Sequence, residues 1–414
     1  MAKRETSTGG RSAAGGVIPG RWVLSVGNPG TPVPPGFSWR MLTDLARLES
    51  GHTPSRRHSE YWGGKIPWIG IRDATQNHGS VLTSTNEAVT QAGIDNSSAR
   101  VLPAGTVCLS RTASVGYTVM MGQPMATSQD FVNWVCGPEL NPRYLMYLMM
   151  LEQESVRRFA HGTTHQTMYY PEAKALHVAV PDRAAQDRVV GMLGALDELI
   201  EANARLADSC AGLRRVLVAR ALSSTTNSVP LSSTAQFING KNFTKDADGL
   251  GRPVIRTPEI RRGPDSSTVR SDAQVSSQFI ADPGDILFVW SGSLMVQRWQ
   301  YEQGLINQHI FKVIPNPGVP AWLVFGLLED RMPSFLGLAA DKATTMGHIK
   351  RGDLEVPVPM PNLTEIPALD QDIRPLWDQE LELRLEIRQL TQTRDELLPL
   401  LMSGRASVDQ VVAA

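Results

Sequence analysis

The chain has 414 residues, enough for two or three domains and too long for one ordinary core. Its 40 Lys and Arg against 41 Asp and Glu leave a formal charge of −1, which excludes a protein holding nucleic acid by bulk positive charge alone. A hydrophobic content of 42% excludes global disorder. The three scattered cysteines, Cys108, Cys136 and Cys210, support neither a disulfide framework nor a zinc finger. No run of about 18 apolar residues and no signal-peptide core occur, so a soluble, cytoplasmic protein is expected.

Residues 1–35 carry seven Gly and five Pro among Ser and Thr, and read as a mobile tail. From Trp39 onward the chain repeats itself. Pro103-Ala104-Gly105-Thr106-Val107 answers to Pro283-Gly284-Asp285-Ile286-Leu287, 180 residues apart. Ser128-Gln129 answers to Asn307-Gln308 at 179, and Thr163-Thr164 to Thr344-Thr345 at 181. Arg214 and Leu217 answer to Arg394 and Leu397 at 180. A colinear series at one offset marks a tandem duplication.

The elements then follow in order. Residues 36–181 form a first globular half, with strands such as Val101–Leu109 and helix over Pro142–Phe159. Residues 182–224 lack proline after Pro181 and show heptad spacing at Leu196, Leu199, Asn203, Leu206, Cys210, Leu213 and Leu217. Residues 228–360 form the second half, with a strand at Asp285–Trp290 and helix at Pro320–Leu328. Residues 366–404 are a second helix with a seam at Ile373, Leu376, Glu380, Leu383, Ile387, Leu390, Arg394, Leu397 and Leu401. Residues 405–414 are a short tail. Pro375 suits the first turn of the second helix, and Pro399 should kink or end it.

The fold class is α+β: two mixed α/β halves joined by two long antiparallel coiled-coil helices, a pseudo-two-fold tandem repeat. The second helix must return along the first if their apolar seams are to bury one another. Gln186 to Leu222 is 37 residues, so that helix spans roughly 55 Å, more than one DNA turn of roughly 34 Å.

No catalytic constellation stands up: there is no phosphate-cradling glycine loop and no nucleophile elbow. His161 and His165 are four residues apart, but Gly and two Thr between them argue against a metal-binding helix, so no metal site is expected. The positive signal is a set of polar loops at equivalent places in both halves. In the first these are Thr53, Ser55, Arg56 and Arg57; Arg111, Thr112 and Ser114; Gln129; and Thr163, Thr164, His165 and Gln166. In the second they are Lys241 and Asn242; Arg261; Ser291 and Ser293; Asn307, Gln308 and His309; and Thr344 and Thr345. These residue types donate to phosphates and read base edges, although Ser, Thr and Asn in loops equally satisfy their own backbone. Arg157-Arg158 and Arg214-Arg215 fall on helices and read as solvated faces.

Two stretches carry a resemblance. One is Ser50-Gly51-His52-Thr53-Pro54-Ser55 followed by Glu60-Tyr61-Trp62-Gly63-Gly64-Lys65-Ile66-Pro67-Trp68-Ile69. The other is Gly284-Asp285-Ile286-Leu287-Phe288-Val289-Trp290-Ser291-Gly292-Ser293 with Asn307-Gln308-His309-Ile310-Phe311-Lys312-Val313. With the Thr-Thr turns, the Val-Pro exits and the two helices, the chain resembles the specificity subunit of type I restriction–modification enzymes over nearly all of Pro35 to Gly404. The resemblance implies a noncatalytic DNA-specificity subunit in which each half is a target-recognition domain for one half of a bipartite double-stranded DNA site. It implies that the helices set the spacer and dock two methyltransferase subunits, which bring S-adenosylmethionine for adenine methylation, and that restriction (motor-nuclease) subunits can join. This chain itself then needs no cofactor. A coiled-coil scaffold that spaces two partners without reading DNA is the alternative. The opening Thr-Pro-Ser motif has no clear second copy.

Overall fold

The computed structural model describes residues 16–162, 166–245, 247–341 and 348–413, which divide into two units. The first holds residues up to Asp197 and from Gln392 onward; the second holds Glu198–Thr391.

In the first unit a five-stranded sheet runs in the order Ala46–Ser50, Phe131–Cys136, Val107–Ser110, Thr118–Met121, Val81–Leu82. Its strands are short, and all but Ala46–Ser50 carry β-branched residues, as a pleated, half-buried surface prefers. Helix Pro142–Leu151 packs on this sheet. Asn141 caps it by accepting the N–H groups of Arg143 and Tyr144, and Pro142 supplies the first-turn residue that has no N–H to satisfy. Residues Tyr144 to Met149 are all buried, as expected of a helix that is apolar all round and enclosed by its unit. Trp134, Tyr144, Tyr147 and Phe159 are the largest side chains of this core.

Part of the segment expected to be a mobile tail is structure. Ile18–Pro19 and Leu24–Val26 are strands, and the latter pairs with the edge of Leu176–Val180. Val23, Leu24 and Val26 enter the core. The reason is Glu152, whose buried carboxylate accepts the backbone N–H groups of Arg21, Trp22, Val23 and Leu24. Four backbone donors around one carboxylate satisfy a charge that would otherwise be costly to bury. Glycine and proline content masked four apolar residues, Trp22, Val23, Leu24 and Val26, that are enough to dock the strand.

The second unit repeats the plan. One sheet runs Ala235–Asn239, Ile310–Pro315, Ile286–Val289, Met295–Arg298; another runs Arg270–Ser271, Arg252–Ile255, Gly304–Ile306, Ile280–Ala281. Helix Ala321–Asp341 packs on the first sheet and extends well beyond the expected Leu328. Strand Pro357–Pro359, the counterpart of Leu176–Val180, pairs only with Ser228–Pro230 among the described residues. Leu231 N–H donates to the Val356 carbonyl and Met360 N–H to that of Asn227. That register turns Pro357 and Pro359 outward, so the free edge offers no N–H.

The two long helices are Arg183–Ser223 and Ile366–Met402. Within the second unit they run antiparallel, because Asp208 pairs with Arg384 while Arg214 pairs with Glu380. Within the first unit Val189 and Leu193 share a core with Leu397, Leu398 and Leu401. Half of the expected first-helix seam is displaced by one residue. Asn203 and Cys210 are buried and Leu217 is packed at the edge of a core, but Leu199, Leu206 and Leu213 are 42, 50 and 50% exposed. Ala207, Arg214 and Ala221 take the buried places beside them. Expected from sequence to be a solvated residue, Arg214 lies 1% exposed between Glu329 (2.9 Å) and Glu380 (3.4 Å), with its guanidinium over the Phe325 ring. On the second helix Leu383 and Leu401 are buried and Leu376, Ile387, Leu390 and Leu397 half-buried. Pro367, not Pro375, holds the first turn, and Pro399 lies three residues before the helix ends.

Candidate nucleic-acid interface

In the first unit, strand Ala46–Ser50 ends at Gly51, where the chain crosses directly over the turn after Ala126–Thr127. A Cβ on Gly51 would stand 1.9 Å from the Ser128 carbonyl oxygen, so only glycine permits the crossing. His52 N–H then donates to the Thr127 carbonyl, 2.9 Å. Ser128 is buried and its hydroxyl accepts the Asp130 N–H, which fixes the turn and leaves Gln129 exposed at its tip. Thr53 Oγ1 donates to Gln129 Oε1 at 2.5 Å, and Arg111 Nε donates to the Gln129 carbonyl at 3.1 Å. The Arg111 guanidinium lies 4.9 Å from the centre of the Tyr170 ring.

Arg111 opens the hairpin tip that follows Val107–Ser110. Ala113 at that tip has φ 59°, a left-handed conformation costly for a residue with a Cβ. Its N–H donates to the Gln166 carbonyl, and Met168 N–H donates to that of Arg111. The tip is thereby tied to the segment Gln166–Met168. Four loops remote in sequence meet at Thr53, Arg111, Thr112, Gln129 and Gln166.

The second unit builds the same scaffold. Strand Ala235–Asn239 ends at Gly240, whose Cβ would stand 2.2 Å from the Asn307 carbonyl oxygen. Gly240-Lys241-Asn242 is thus the second copy of Gly51-His52-Thr53. Gln308 N–H donates to the Lys241 carbonyl at 3.0 Å, and Gln308 and His309 are exposed. At the hairpin tip Gly292 takes the left-handed place of Ala113, with φ 75°. Ile349 N–H donates to the Trp290 carbonyl, as Met168 does to that of Arg111. Trp290, in the place of Arg111, donates its indole N–H to Asn239 and lies 5.2 Å from the His309 ring and 5.9 Å from that of His348. Ser291 and His348 are hydrogen-bonded at 2.7 Å.

Several expected contact residues have other work. Arg56 is forked onto Glu87 and stacked 3.6 Å from the Trp62 ring; the pairing pushes the Arg56 pKa up and that of Glu87 down. Asn307 is buried, with Oδ1 accepting the Phe243 N–H. Ser291 is buried against His348, and Asn242 Oδ1 accepts the Thr244 N–H in a local turn. Ser55 likewise caps Arg57, and Ser114 accepts from Ser110 through its carbonyl. Arg57, Lys241, Arg261 and Ser293 are exposed. Thr163, Thr164, His165, Thr344 and Thr345 lie outside the described residues. Thr167 and His348, which the sequence does not single out, join the hairpin tips through the bridges Thr112–Thr167 and Ser291–His348, while Asp130 and Trp290 adjoin the candidates Gln129 and Ser291. The offset of 179 that matches Ser110 to Val289 would have placed Trp290 beside Arg111.

No helix among the described residues is long and apolar enough to cross a membrane. Residues 34–209 match the family described as type I restriction modification DNA specificity domain. The chain is 27% identical over 171 residues to the type I restriction enzyme MjaIX specificity subunit of Methanocaldococcus jannaschii, covering 41% of this chain and 40% of that one. It is 30% identical over 128 residues to the HindI specificity subunit of Haemophilus influenzae, covering 31% and 27%. These matches thus span less than half of either relative. The fold is shared with the type I restriction–modification S subunit of M. genitalium at a TM-score of 0.60 and 17% identity, over 90% of this chain and 97% of that one. Over residues 34–209, less than half of its length, the chain is thus similar to the specificity domain of type I restriction–modification systems.

Proposed function

We propose that each unit reads one half of a bipartite double-stranded DNA site. The observation that supports this most is the doubled loop scaffold. Gly51 and Gly240 make the same crossing, and Met168 and Ile349 make the same tie, while most side chains at the tips differ. A fixed frame carrying different hydrogen-bonding groups is what two different half-sites require.

The two long helices set the spacer. The exposed heptad stripe Leu199, Leu206 and Leu213, with Val216 at 64% exposure, supplies an apolar face for a methyltransferase subunit. Two such subunits bring S-adenosylmethionine and the groups that methylate adenine, and restriction subunits join that assembly in the cytoplasm. This chain contributes specificity and no catalytic group. Its formal charge of −1 suits that division, since partner surfaces supply sequence-independent attraction to phosphate.

Exchanging residues 230–359 for the corresponding segment of another family member tests this. The methylated sequence should change in one half only. Change in both halves, or in neither, would contradict modular reading; an unchanged site would favour a scaffold that spaces partners without touching bases.

A further inference from the structure

The two loop scaffolds differ at several matched places. His52 faces Lys241 in the comparison, Arg111 faces Trp290, Asp130 faces His309 and Thr167 faces His348. Ser114 and Ser293 are also alike, but among the described residues the matched place that is both identical and exposed in each unit is that of Gln129 and Gln308. Each stands at the tip of the turn beside the glycine crossing, held by its backbone. The Gln129 carbonyl accepts from Arg111, and the Gln308 N–H donates to Lys241. Each glutamine directly follows a buried residue, Ser128 or Asn307, whose side-chain oxygen accepts a backbone N–H, from Asp130 or Phe243 respectively. In the first unit Thr53 also donates to Gln129 Oε1. That contact orients the amide; among the described residues Nε2 has no partner and Oε1 keeps a second lone pair to accept.

We infer that Gln129 and Gln308 read the same base, adenine, one in each half-site, while the differing residues around them read what distinguishes the halves. A carboxamide presents one acceptor and one donor side by side, which matches the N6 amino group and N7 of adenine in the major groove. Guanine offers two acceptors there and cytosine only a donor. This assignment rests on the DNA-reading role proposed above and sharpens it to one base position per half.

The test is methylation mapping with the full chain and its methyltransferase partners, comparing wild type with Gln129→Ala, Gln308→Ala and Gln129→Glu. Wild type should mark a bipartite site with an invariant A·T pair in each half. Gln129→Ala should relax discrimination at that pair in one half by roughly 5- to 150-fold, and Gln308→Ala in the other. Gln129→Glu should shift the preference at the same position toward cytosine, whose N4 amino group a carboxylate accepts. An unchanged motif in the alanine variants would overturn the assignment. So would a loss of methylation that is uniform over all positions, since that marks a structural role. A wild-type complex that marks no bipartite site would instead defeat the DNA-reading role itself.

Discussion

At the scale of single residues, the loops are held by two kinds of backbone necessity. Gly51 sits where any Cβ would strike the Ser128 carbonyl, with Thr127 Oγ1 a further 2.2 Å neighbour. Backbone cannot yield there as a flexible side chain can. Gly51→Ala should therefore destabilise the first unit by about 1–3 kcal/mol, the usual cost of forcing extra atoms into a packed place. Ala113 is the reverse case. It holds a left-handed φ of 59° where the second unit has glycine, and exposure leaves its methyl free to go. Ala113→Gly should range from neutral to about 1 kcal/mol stabilising, because relief of strain outweighs the extra freedom gained by the unfolded chain. Thermal unfolding of the two variants side by side checks both signs.

At the scale of elements, the helices were legible as helices but only half legible as a seam. The 3,4 alternation correctly picks Asn203 and Cys210, then selects Leu199, Leu206 and Leu213 because leucine is the residue a seam ordinarily wants. The actual neighbours, Ala207 and Arg214, are small or charged. Arg214 is tolerable inside because Glu329 and Glu380 flank it and the Phe325 and Trp377 rings cover it. None of those partners is visible from heptad spacing. Removing Arg214 takes the salt bridge from Glu380 and leaves Glu329 only Arg215 at 3.5 Å, so Arg214→Ala should cost about 3 kcal/mol, the lower end for a broken buried pair because both carboxylates still reach water. Leu206→Ser on the exposed face should cost under about 0.5 kcal/mol in the isolated chain. Urea unfolding that ranked the two the other way would restore the leucine seam. The buried Asn203, whose Nδ2 has no partner among the described residues, is the second polar residue in this seam.

At the scale of the whole molecule, the repeat was the strongest signal in the sequence, because a constant offset needs no assumption about contacts. Helix bounds followed closely, since proline and heptad spacing mark them locally. The N-terminal strands were hidden, because their anchor, Glu152, lies about 130 residues away along the chain. The candidate loops were partly legible for the same reason. Loop composition singled out Arg111, Gln129 and Gln308 as candidates, but only the folded chain brings Trp290, His309 and His348 together in the second unit or binds Arg56 to Glu87 in the first. The near-neutral charge, which excludes holding nucleic acid by bulk positive charge alone, is compatible with the proposed reading, in which specificity comes from a few loop residues. Methylome sequencing of a host carrying this chain with its methyltransferase partner is the most direct test. The predicted outcome is adenine methylation at one motif of two specified halves separated by a spacer of fixed length. A single continuous motif, or methylation without sequence preference, would contradict two-unit reading.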